Sequence, residues 1–364
     1  MNKELNFRYR MLLQFDSEIT GHHYTLKCLP ESNLRQRVTA LDIKLLPAGL
    51  HWESRDAFGN RELLGVLPEK HDHFSAEISG EVQLLLGTMS SNPAAGPCLT
   101  LPDGTSLYAE LPVREEKLGI YRYPTELTRP GKHITEWLAD FEAENETAGI
   151  YGGTAQIAES ISSARTGTAP AAKSYGGTAQ TAESISSGKT GTAPAAGSYG
   201  GTAQTAKSKC SAISGTCVPP LAHAVWAVRV MHGLHRYFVY QKAATDVSTS
   251  AEEAMEKGAG VCQDYAHIFL SLLRLRGIPA RYVTGMLRGE GESHAWVEVA
   301  LGDFWYGLDP TNDCAVAGEH VRIACGRDYR DCRISQGVFY GGARQSQKVE
   351  ALVYTKESEE NSTS

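Results

Sequence analysis

Apolar and polar residues alternate through most of the first 125 positions of the chain. The pattern is clearest over residues 7–13, and it returns at positions 24–28 and 74–86. Because successive side chains of a strand point to opposite faces, a period of two predicts strands with one buried face. We therefore expect residues 1–130 to form an antiparallel β-sandwich domain.

Helical spacing of apolar residues appears further along the chain. Residues 133–146 and 224–238 each carry an apolar stripe typical of an amphipathic helix. Residues 262–275 are apolar around most of the helical circumference, which predicts a buried helix ending before Gly277. Ser250 and Glu253 have the spacing of a capping box, and Gly258 is placed to end that short helix.

Strand-like runs fill the rest of the C-terminal half. Residues 293–299 and 304–309 are separated by a short turn and predict an antiparallel hairpin. Residues 320–324 and 349–354 are predicted to be closing strands. The chain as a whole is therefore expected to be α+β.

An internal repeat interrupts this pattern over residues 149–217. A Tyr-Gly-Gly-Thr-Ala-Gln motif begins at Tyr151, Tyr175 and Tyr199, with a period of 24 residues. The repeats contain almost no large apolar side chains, so they cannot bury a core. We expect a disordered, tolerated insertion between two helices. A docking arm or a self-substrate bearing Gln156, Gln180 and Gln204 is the alternative.

The insertion divides the second predicted domain, which comprises residues 131–148 and 218–356. Residues 357–364 are polar and predict a frayed tail. The histidines of the first domain stand among turn residues, so we expect them to be surface groups and not a metal cluster. They are His22, His23, His51, His71 and His73.

Charge and cysteine content indicate which partners and which cellular compartment to expect. The formal net charge of −7 gives no reason to expect nucleic acid or an anionic membrane as a partner. The eight cysteines are irregularly spaced, which favours a reducing compartment over a disulfide framework. Neither a secretory signal nor an apolar run of membrane-spanning length is found, so we expect a cytoplasmic protein.

Cys262 is the strongest candidate for chemistry. It follows the glycine-rich turn Gly258-Ala259-Gly260 and opens the buried helix predicted over residues 262–275. At a helix N-terminus, unpaired backbone N–H groups and the helix dipole favour a thiolate, and the same N–H groups can face an oxyanion. Cys262 is thus predicted to be a nucleophile.

A base and an orienting carboxylate are available on the predicted hairpin. His294 opens its first strand and Asp309 closes its second strand, so the hairpin would bring the two side chains together at one end. His294 could then take the Cys262 proton, while Asp309 would fix the imidazole tautomer and stabilise the imidazolium. His267 is expected to pack inside the helix or to support the site residues, and Asp264 to cap the helix or to reach the cleft, with capping favoured.

Three ordered motifs carry a family resemblance. They are Cys262-Gln263-Asp264-Tyr265, Ser293-His294-Ala295-Trp296-Val297-Glu298 and Asp309-Pro310-Thr311-Asn312. They closely resemble the transglutaminase-like superfamily, in particular its bacterial two-domain branch. The resemblance implies a papain-like core with Cys262, His294 and Asp309 as catalytic triad, and a first domain that walls the cleft or presents substrate.

The chemistry expected from this triad is acyl transfer from a peptide or carboxamide bond through a thioester. Water as the acceptor, which would make the chain a peptidase or amidase, is favoured, and an amine acceptor, which would make it a transglutaminase proper, is the alternative. A peptide or protein substrate is expected, with no cofactor and no metal. The second oxyanion donor is also open among Gln263, Trp226 and Tyr240.

Two other classes of function remain possible at this stage. The triad could persist in a non-enzymatic scaffold that binds a partner, or Cys262 and His294 could belong to a metal-binding module. The reactivity of Cys262 toward iodoacetamide tests the scaffold hypothesis. Metal analysis of the purified protein tests the metal-binding hypothesis.

Overall fold

The computed structural model describes residues 2–86, 97–146 and 220–355, which belong to one compact unit. The repeat segment 149–217, with its three glutamines, and the polar tail 357–364 lie outside the described residues. The predictions made for them stay predictions. Within the described segments, no helix has both the length and the apolar character needed to cross a membrane.

Strands make up most of the regular structure. They are β1 (Lys3–Leu26), β2 (Gln36–Leu46), β3 (Leu50–Arg55), β4 (Arg61–Leu67), β5 (His71–Leu84), β6 (Cys98–Thr100), β7 (Ser106–Pro112), β8 (Val239–Tyr240), β9 (Ala259–Gly260), β10 (Ala280–Leu287), β11 (Gly289–Gly291), β12 (His294–Leu301), β13 (Phe304–Asp309), β14 (Cys314–Ala315), β15 (His320–Gly326), β16 (Ser335–Tyr340) and β17 (Gln345–Tyr354).

The five described α-helices all lie between β7 and β10 along the chain. They are α1 (Glu115–Arg122), α2 (Lys132–Glu146), α3 (Pro220–Tyr237), α4 (Ala251–Lys257) and α5 (Cys262–Leu275), with a short 3₁₀ helix at Tyr329–Cys332. The capping box of α4 forms as predicted: Ser250 Oγ accepts from Glu253 N, and the Glu253 carboxylate accepts from Ser250 N. Gly258 ends α4 with φ of 69°, a left-handed conformation that glycine adopts without strain.

The first sheet has eight strands and is organised around the 24-residue strand β1. The first half of β1 pairs with β5 and β17, and its second half pairs with β4 and β16. The pairing of β1 with β5 shifts register between Gln14 and Ile19. One curled sheet therefore encloses the core, where the alternation predicted two separate sheets.

Two histidines of this sheet contradict the surface assignment. His22 and His71 are 1% and 6% exposed, and their rings stack with His22 Nδ1 3.2 Å from His71 Nε2. The alternation of β1 turns His22 inward, next to Tyr24 and Phe74. The prediction that all five were surface groups was wrong for these two.

The second sheet has seven strands in the order β15-β10-β12-β13-β7-β6, with β14 paired to β13. One face packs against the helices, and α5 is buried on every side, as its apolar circumference predicted. The other face supplies Met286, Val321 and Ile323 to the core of the first sheet. Burial on both faces explains the unbroken run of buried residues in β15.

Strands are exchanged between the two halves of the sequence. Strand β7, from the N-terminal part of the chain, pairs with β13 in the second sheet. Strand β17, at the C-terminal end of the described chain, pairs with β1 in the first sheet. The closing strands predicted over residues 320–324 and 349–354 are both confirmed as strands, but each belongs to a different sheet.

Candidate active site

Cys262 is the first residue of α5 and is partly exposed. Strand β9, directly before it, pairs in parallel with β8. Asp264 Oδ2 accepts from Val261 N at 2.7 Å and from Thr245 Oγ1 at 2.6 Å, which confirms its capping role. A Cβ on Gly260 would lie 2.4 Å from the same Asp264 oxygen, so only glycine fits this turn. The Asp264 cap and Gly260 together fix the position of Cys262 at the start of α5.

His294 and Asp309 meet at one end of the β12–β13 hairpin, as predicted. His294 Nε2 lies 2.8 Å from Asp309 Oδ2. The His294 side chain is 11% exposed, whereas the Asp309 side chain is completely buried. With Nε2 turned toward the carboxylate, Nδ1 is the ring nitrogen left for another partner.

The carboxylate of Asp309 is surrounded by hydrogen-bond donors. Oδ2 lies 2.8 Å from His294 Nε2, 2.8 Å from Asn312 Nδ2 and 2.9 Å from His320 Nε2. Oδ1 accepts from the backbone N–H groups of Thr311 and Asn312. Burial alone would raise the pKa of Asp309, but the bonds to His294 and His320 outweigh it and hold that pKa far below its usual range. Asp309 is therefore an ionised carboxylate inside the protein.

The protonated form of His294 is strongly favoured. Burial acts to lower its pKa, but hydrogen bonds and charge interactions with Asp309 and Cys262 raise it to about 10. The Cys262 thiol thus interacts with the same ring that Asp309 orients. This arrangement brings all three predicted residues together around one imidazole ring.

An open cleft of about 630 Å³ contains both Cys262 and His294. Tyr9, Gln347 and Val349 of the first sheet form part of its lining. The second sheet contributes Tyr282 and Thr284. The cleft is therefore built by both sheets, with the candidate nucleophile accessible from it.

The segment before His294 is attached to the first sheet. After β10 the chain leaves the second sheet, and β11 pairs with β17 of the first sheet before His294 opens β12. The sequence Gly289-Glu290-Gly291 has no apolar alternation, so pattern analysis missed this strand. The strand can be recognised only in the structure, where it pairs with β17 of the first sheet.

Other side chains fix the geometry around the site. His267 Nε2 accepts from Tyr329 N at 3.2 Å, which confirms a packing role deep in α5. Asn312, which follows Asp309, places its amide 3.3 Å from His294 Nε2. His320 was predicted as part of a closing strand and of the family resemblance, and no spacing rule linked it to Asp309, eleven positions earlier.

The structure leaves two of the three candidates for the second oxyanion donor. The Trp226 indole N–H donates to Glu142 Oε1 at 3.2 Å, and Trp226 does not line the cleft. Gln263 and Tyr240 both line it. Burial and the nearby Cys262 and Glu292 raise the pKa of Tyr240, so its hydroxyl keeps its proton and can donate a hydrogen bond.

One cluster of described residues has ligand atoms close enough to surround a metal ion. These are the ring nitrogens and carboxylate oxygens of His294, Asp309 and His320, which all lie within 4.8 Å of one another. Both imidazoles already contact the same Oδ2 atom of Asp309 at hydrogen-bond distance. We therefore interpret the cluster as a hydrogen-bonded one.

Comparison with protein-family models gives a match in each half of the chain. Residues 211–310 match the model of the Transglutaminase-like superfamily, and residues 5–83 match the Bacterial transglutaminase-like N-terminal region. Residues 211–310 are therefore similar to a transglutaminase-like core. The resemblance inferred from the three motifs is confirmed, and the transglutaminase-like core contains Cys262, His294 and Asp309.

Relatives of the chain occur in mycobacteria. An uncharacterized protein of Mycobacterium leprae is 38% identical over 112 residues, 28% of this chain and 40% of that protein. An uncharacterized protein of Mycobacterium tuberculosis is 35% identical over 125 residues, 30% of this chain and 40% of that protein. The matched region thus spans 40% of the length of these relatives.

A solved structure shares the fold. The "Putative Cysteine Protease" from Cytophaga hutchinsonii is similar over 98% of this chain and 92% of its own, with a TM-score of 0.56 and 16% identity. At this identity the similarity shows the fold alone. The mostly β architecture around the transglutaminase-like core is therefore one already seen in another protein.

Proposed function

We propose that the chain is a cysteine-dependent acyl-transfer enzyme that acts on peptide or carboxamide bonds. Cys262 is the nucleophile, His294 the acid–base group and Asp309 the residue that orients the imidazole. The observation that carries the proposal is the His294 ring, which contacts buried Asp309 through Nε2 and interacts with Cys262 beside an open cleft.

In the first half of the reaction, the Cys262 thiolate attacks the carbonyl carbon of the substrate. The resulting oxyanion faces the N-terminus of α5, where backbone N–H groups are free of intrahelical acceptors. His294 gives its proton to the leaving nitrogen, the C–N bond breaks, and an amine departs. The acyl group stays on sulfur as a thioester.

In the second half, neutral His294 removes a proton from the acceptor. Water as acceptor yields a carboxylic acid, and a primary amine yields a new amide; in both cases the Cys262 thiolate and the protonated His294 are restored. We favour water because the cleft is lined by Lys242, Glu290 and Glu292, whose charged groups keep solvent near the thioester. Amine transfer uses the same residues and is the alternative.

The organisation expected from the sequence belongs to the same proposal. We assign the second sheet and its helices to a papain-like core, and the first sheet to a sandwich-like partner that walls the cleft. A contribution of Tyr9, Gln347 and Val349 to the cleft supports this role. The six described cysteines are all free, which supports a cytoplasmic location, and the cleft suits a peptide or protein substrate.

The proposal is tested by turnover of a library of peptide amides, with and without an added primary amine. We expect ammonia or peptide amine to be released at a rate that Cys262→Ala reduces to background. Cys98→Ala, which removes another partly exposed thiol on β6, is the matched control and should keep the rate.

The products decide between the two acceptors. Free acid that persists in the presence of amine supports hydrolysis, and an amine adduct supports transfer. If no substrate is turned over faster by the wild type than by Cys262→Ala, and Cys262 reacts with iodoacetamide no faster than Cys98, the proposal fails in favour of a non-enzymatic scaffold.

A further inference from the structure

His320 is a second buried histidine on Asp309. It opens β15 at the edge of the second sheet, and it is 5% exposed. Its Nε2 atom lies 2.9 Å from Asp309 Oδ2, the same oxygen that His294 contacts at 2.8 Å. The rings of the two histidines have centroids 6.1 Å apart. The candidate site therefore contains a group that the three-residue mechanism does not use.

The protonation state of His320 follows from its partner. An ionised carboxylate can only accept, so His320 Nε2 must carry a hydrogen and donate it. Burial and the nearby His294 and Arg35 outweigh the attraction of Asp309 and lower the pKa of His320, so the ring is neutral. Its Nδ1 atom then bears a lone pair, and it has no hydrogen-bond partner among the described residues.

Packing leaves the ring little freedom to adopt another orientation. The Trp296 ring meets it edge-on, with centroids 5.3 Å apart. Trp296 is completely buried in β12, two residues after His294. The same strand therefore positions His294 by its backbone and His320 through the packing of Trp296.

We propose that His320 is a positioning residue that donates a fixed hydrogen bond to Asp309 and thereby sets how strongly Asp309 holds the proton of His294. This role rests on the proposed function, because it acts through the acid–base histidine. A donor that shares the accepting oxygen with His294 reduces the proton affinity of the carboxylate. His294 then remains acidic enough to give its Nδ1 proton to the departing amine.

The direction of the effect follows from this competition. Without the donor, Asp309 attracts the His294 proton more strongly, so the imidazolium becomes a weaker acid. The pH at which His294 loses its proton should therefore rise, and the step that protonates the leaving amine should slow. KM should change little, since His320 does not line the cleft.

The test compares His320→Leu with His320→Gln in the full chain. Leucine removes the donor, whereas the glutamine amide can place an N–H near the former Nε2 position. For His320→Leu we expect kcat to fall roughly tenfold, the equivalent of one hydrogen bond. The alkaline limb of its pH–rate profile should move up by about half a pH unit or more. His320→Gln should restore both values.

A buried-histidine control separates this effect from loss of stability. His22→Leu removes another buried ring, in the first sheet, and should lower the melting temperature without moving the alkaline limb. An unchanged limb in His320→Leu, or a limb that His320→Gln fails to restore, would overturn the proposal and leave His320 a packing residue.

A second readout does not depend on turnover. We expect the alkylation rate of Cys262 by iodoacetamide to show an upper inflection where His294 loses its proton, and His320→Leu should move this inflection in the same direction. If wild type shows no turnover but this shift is present, the enzymatic proposal fails while the positioning role stands. Absence of the shift contradicts the positioning role alone.

Discussion

At the scale of single residues, the site is a chain of hydrogen bonds that ends at one buried oxygen. Asp309 Oδ2 faces His294, His320 and Asn312, while the backbone of the following turn holds Oδ1. A completely buried carboxylate is tolerated because five donors compensate for the lost water. The hydrogen bond from His294 to this carboxylate, followed by the carboxylate's negative charge, keeps the pKa of His294 high despite burial.

Asp309→Asn should therefore change both the rate and its pH dependence. Asparagine keeps the size of the side chain but removes the charge, so the pKa of His294 should fall from about 10. The alkaline limb of the pH–rate profile should move to lower pH, and kcat/KM should fall on the order of 10²-fold or more. Initial rates measured from about pH 5 to about pH 11.5, so that the wild-type alkaline limb is included, check both effects.

The matched control for this change is Asp313→Asn. Asp313 lies in the same turn but pairs with His232 of α3, so its loss should leave the alkaline limb in place. An alkaline limb of Asp309→Asn that coincides with that of the wild type would show that Asp309 does not set the protonation of His294.

The sequence predicted the residues of this site better than their environment. Cys262, His294 and Asp309 were found because a helix start, a strand start and a strand end each have local signals. His320 and the burial of His22 were not found, since both depend on which strand lies beside which. Side-chain alternation reports that a face is buried, but it does not say against what.

At the scale of elements, the position of the sulfur depends on how α5 begins. The helix has no side-chain cap at Val261; the carboxylate of Asp264 folds back to accept from Val261 N instead. Because Gly260 has no Cβ, this carboxylate can approach the backbone at residue 260. Of the predicted glycine-rich turn, only Gly258 lies in a turn, while Gly260 belongs to β9, where the lack of a Cβ leaves room for the Asp264 carboxylate.

Gly260→Ala should disturb this start and the reactivity of Cys262 together. The new Cβ would lie 2.4 Å from Asp264 Oδ2, so either the carboxylate or the turn must move. We expect the free energy of unfolding to fall by about 1–3 kcal/mol, the usual cost of overpacking, and Cys262 alkylation to slow. Urea unfolding and iodoacetamide kinetics measure the two effects.

Gly119→Ala provides the comparison. Gly119 lies in α1, and a Cβ there would meet nothing within 4 Å, so alanine should be neutral or slightly stabilising. Equal stability of the wild type and Gly260→Ala would show that the turn relaxes easily and does not fix the start of the helix.

At the scale of the whole molecule, the two sheets depend on each other. The first sheet receives β17 from the C-terminal end of the described chain, and the second receives β7 from the N-terminal part. From the sequence we predict two domains that follow each other along the chain. Local patterns cannot reveal pairing between distant strands, so the exchange of β7 and β17 between the sheets was not predicted. That pairing builds the cleft from both sheets.

The edge of the second sheet is also closed by side chains from the first half of the chain. Gln36 exchanges two hydrogen bonds with the backbone of Arg322, donating to its carbonyl and accepting from its N–H, both at 2.9 Å. Asn60 does the same with the backbone of Cys325, at 2.7 and 2.8 Å. These amides take the place that a neighbouring strand would have beside β15.

Asn60→Leu should therefore destabilise both sheets at once. It leaves the N–H and carbonyl of Cys325 buried without these partners, which costs about 1–3 kcal/mol for each unsatisfied group. We expect urea unfolding to remain one transition at a lower midpoint, with the same midpoint for near-UV circular dichroism and tryptophan fluorescence. Gln336→Leu, at an exposed position of β16, is the control and should leave the midpoint unchanged. Two separated transitions in either the wild type or Asn60→Leu would mean that the sheets fold independently, and the closed edge of β15 would then be a contact without a cooperative role.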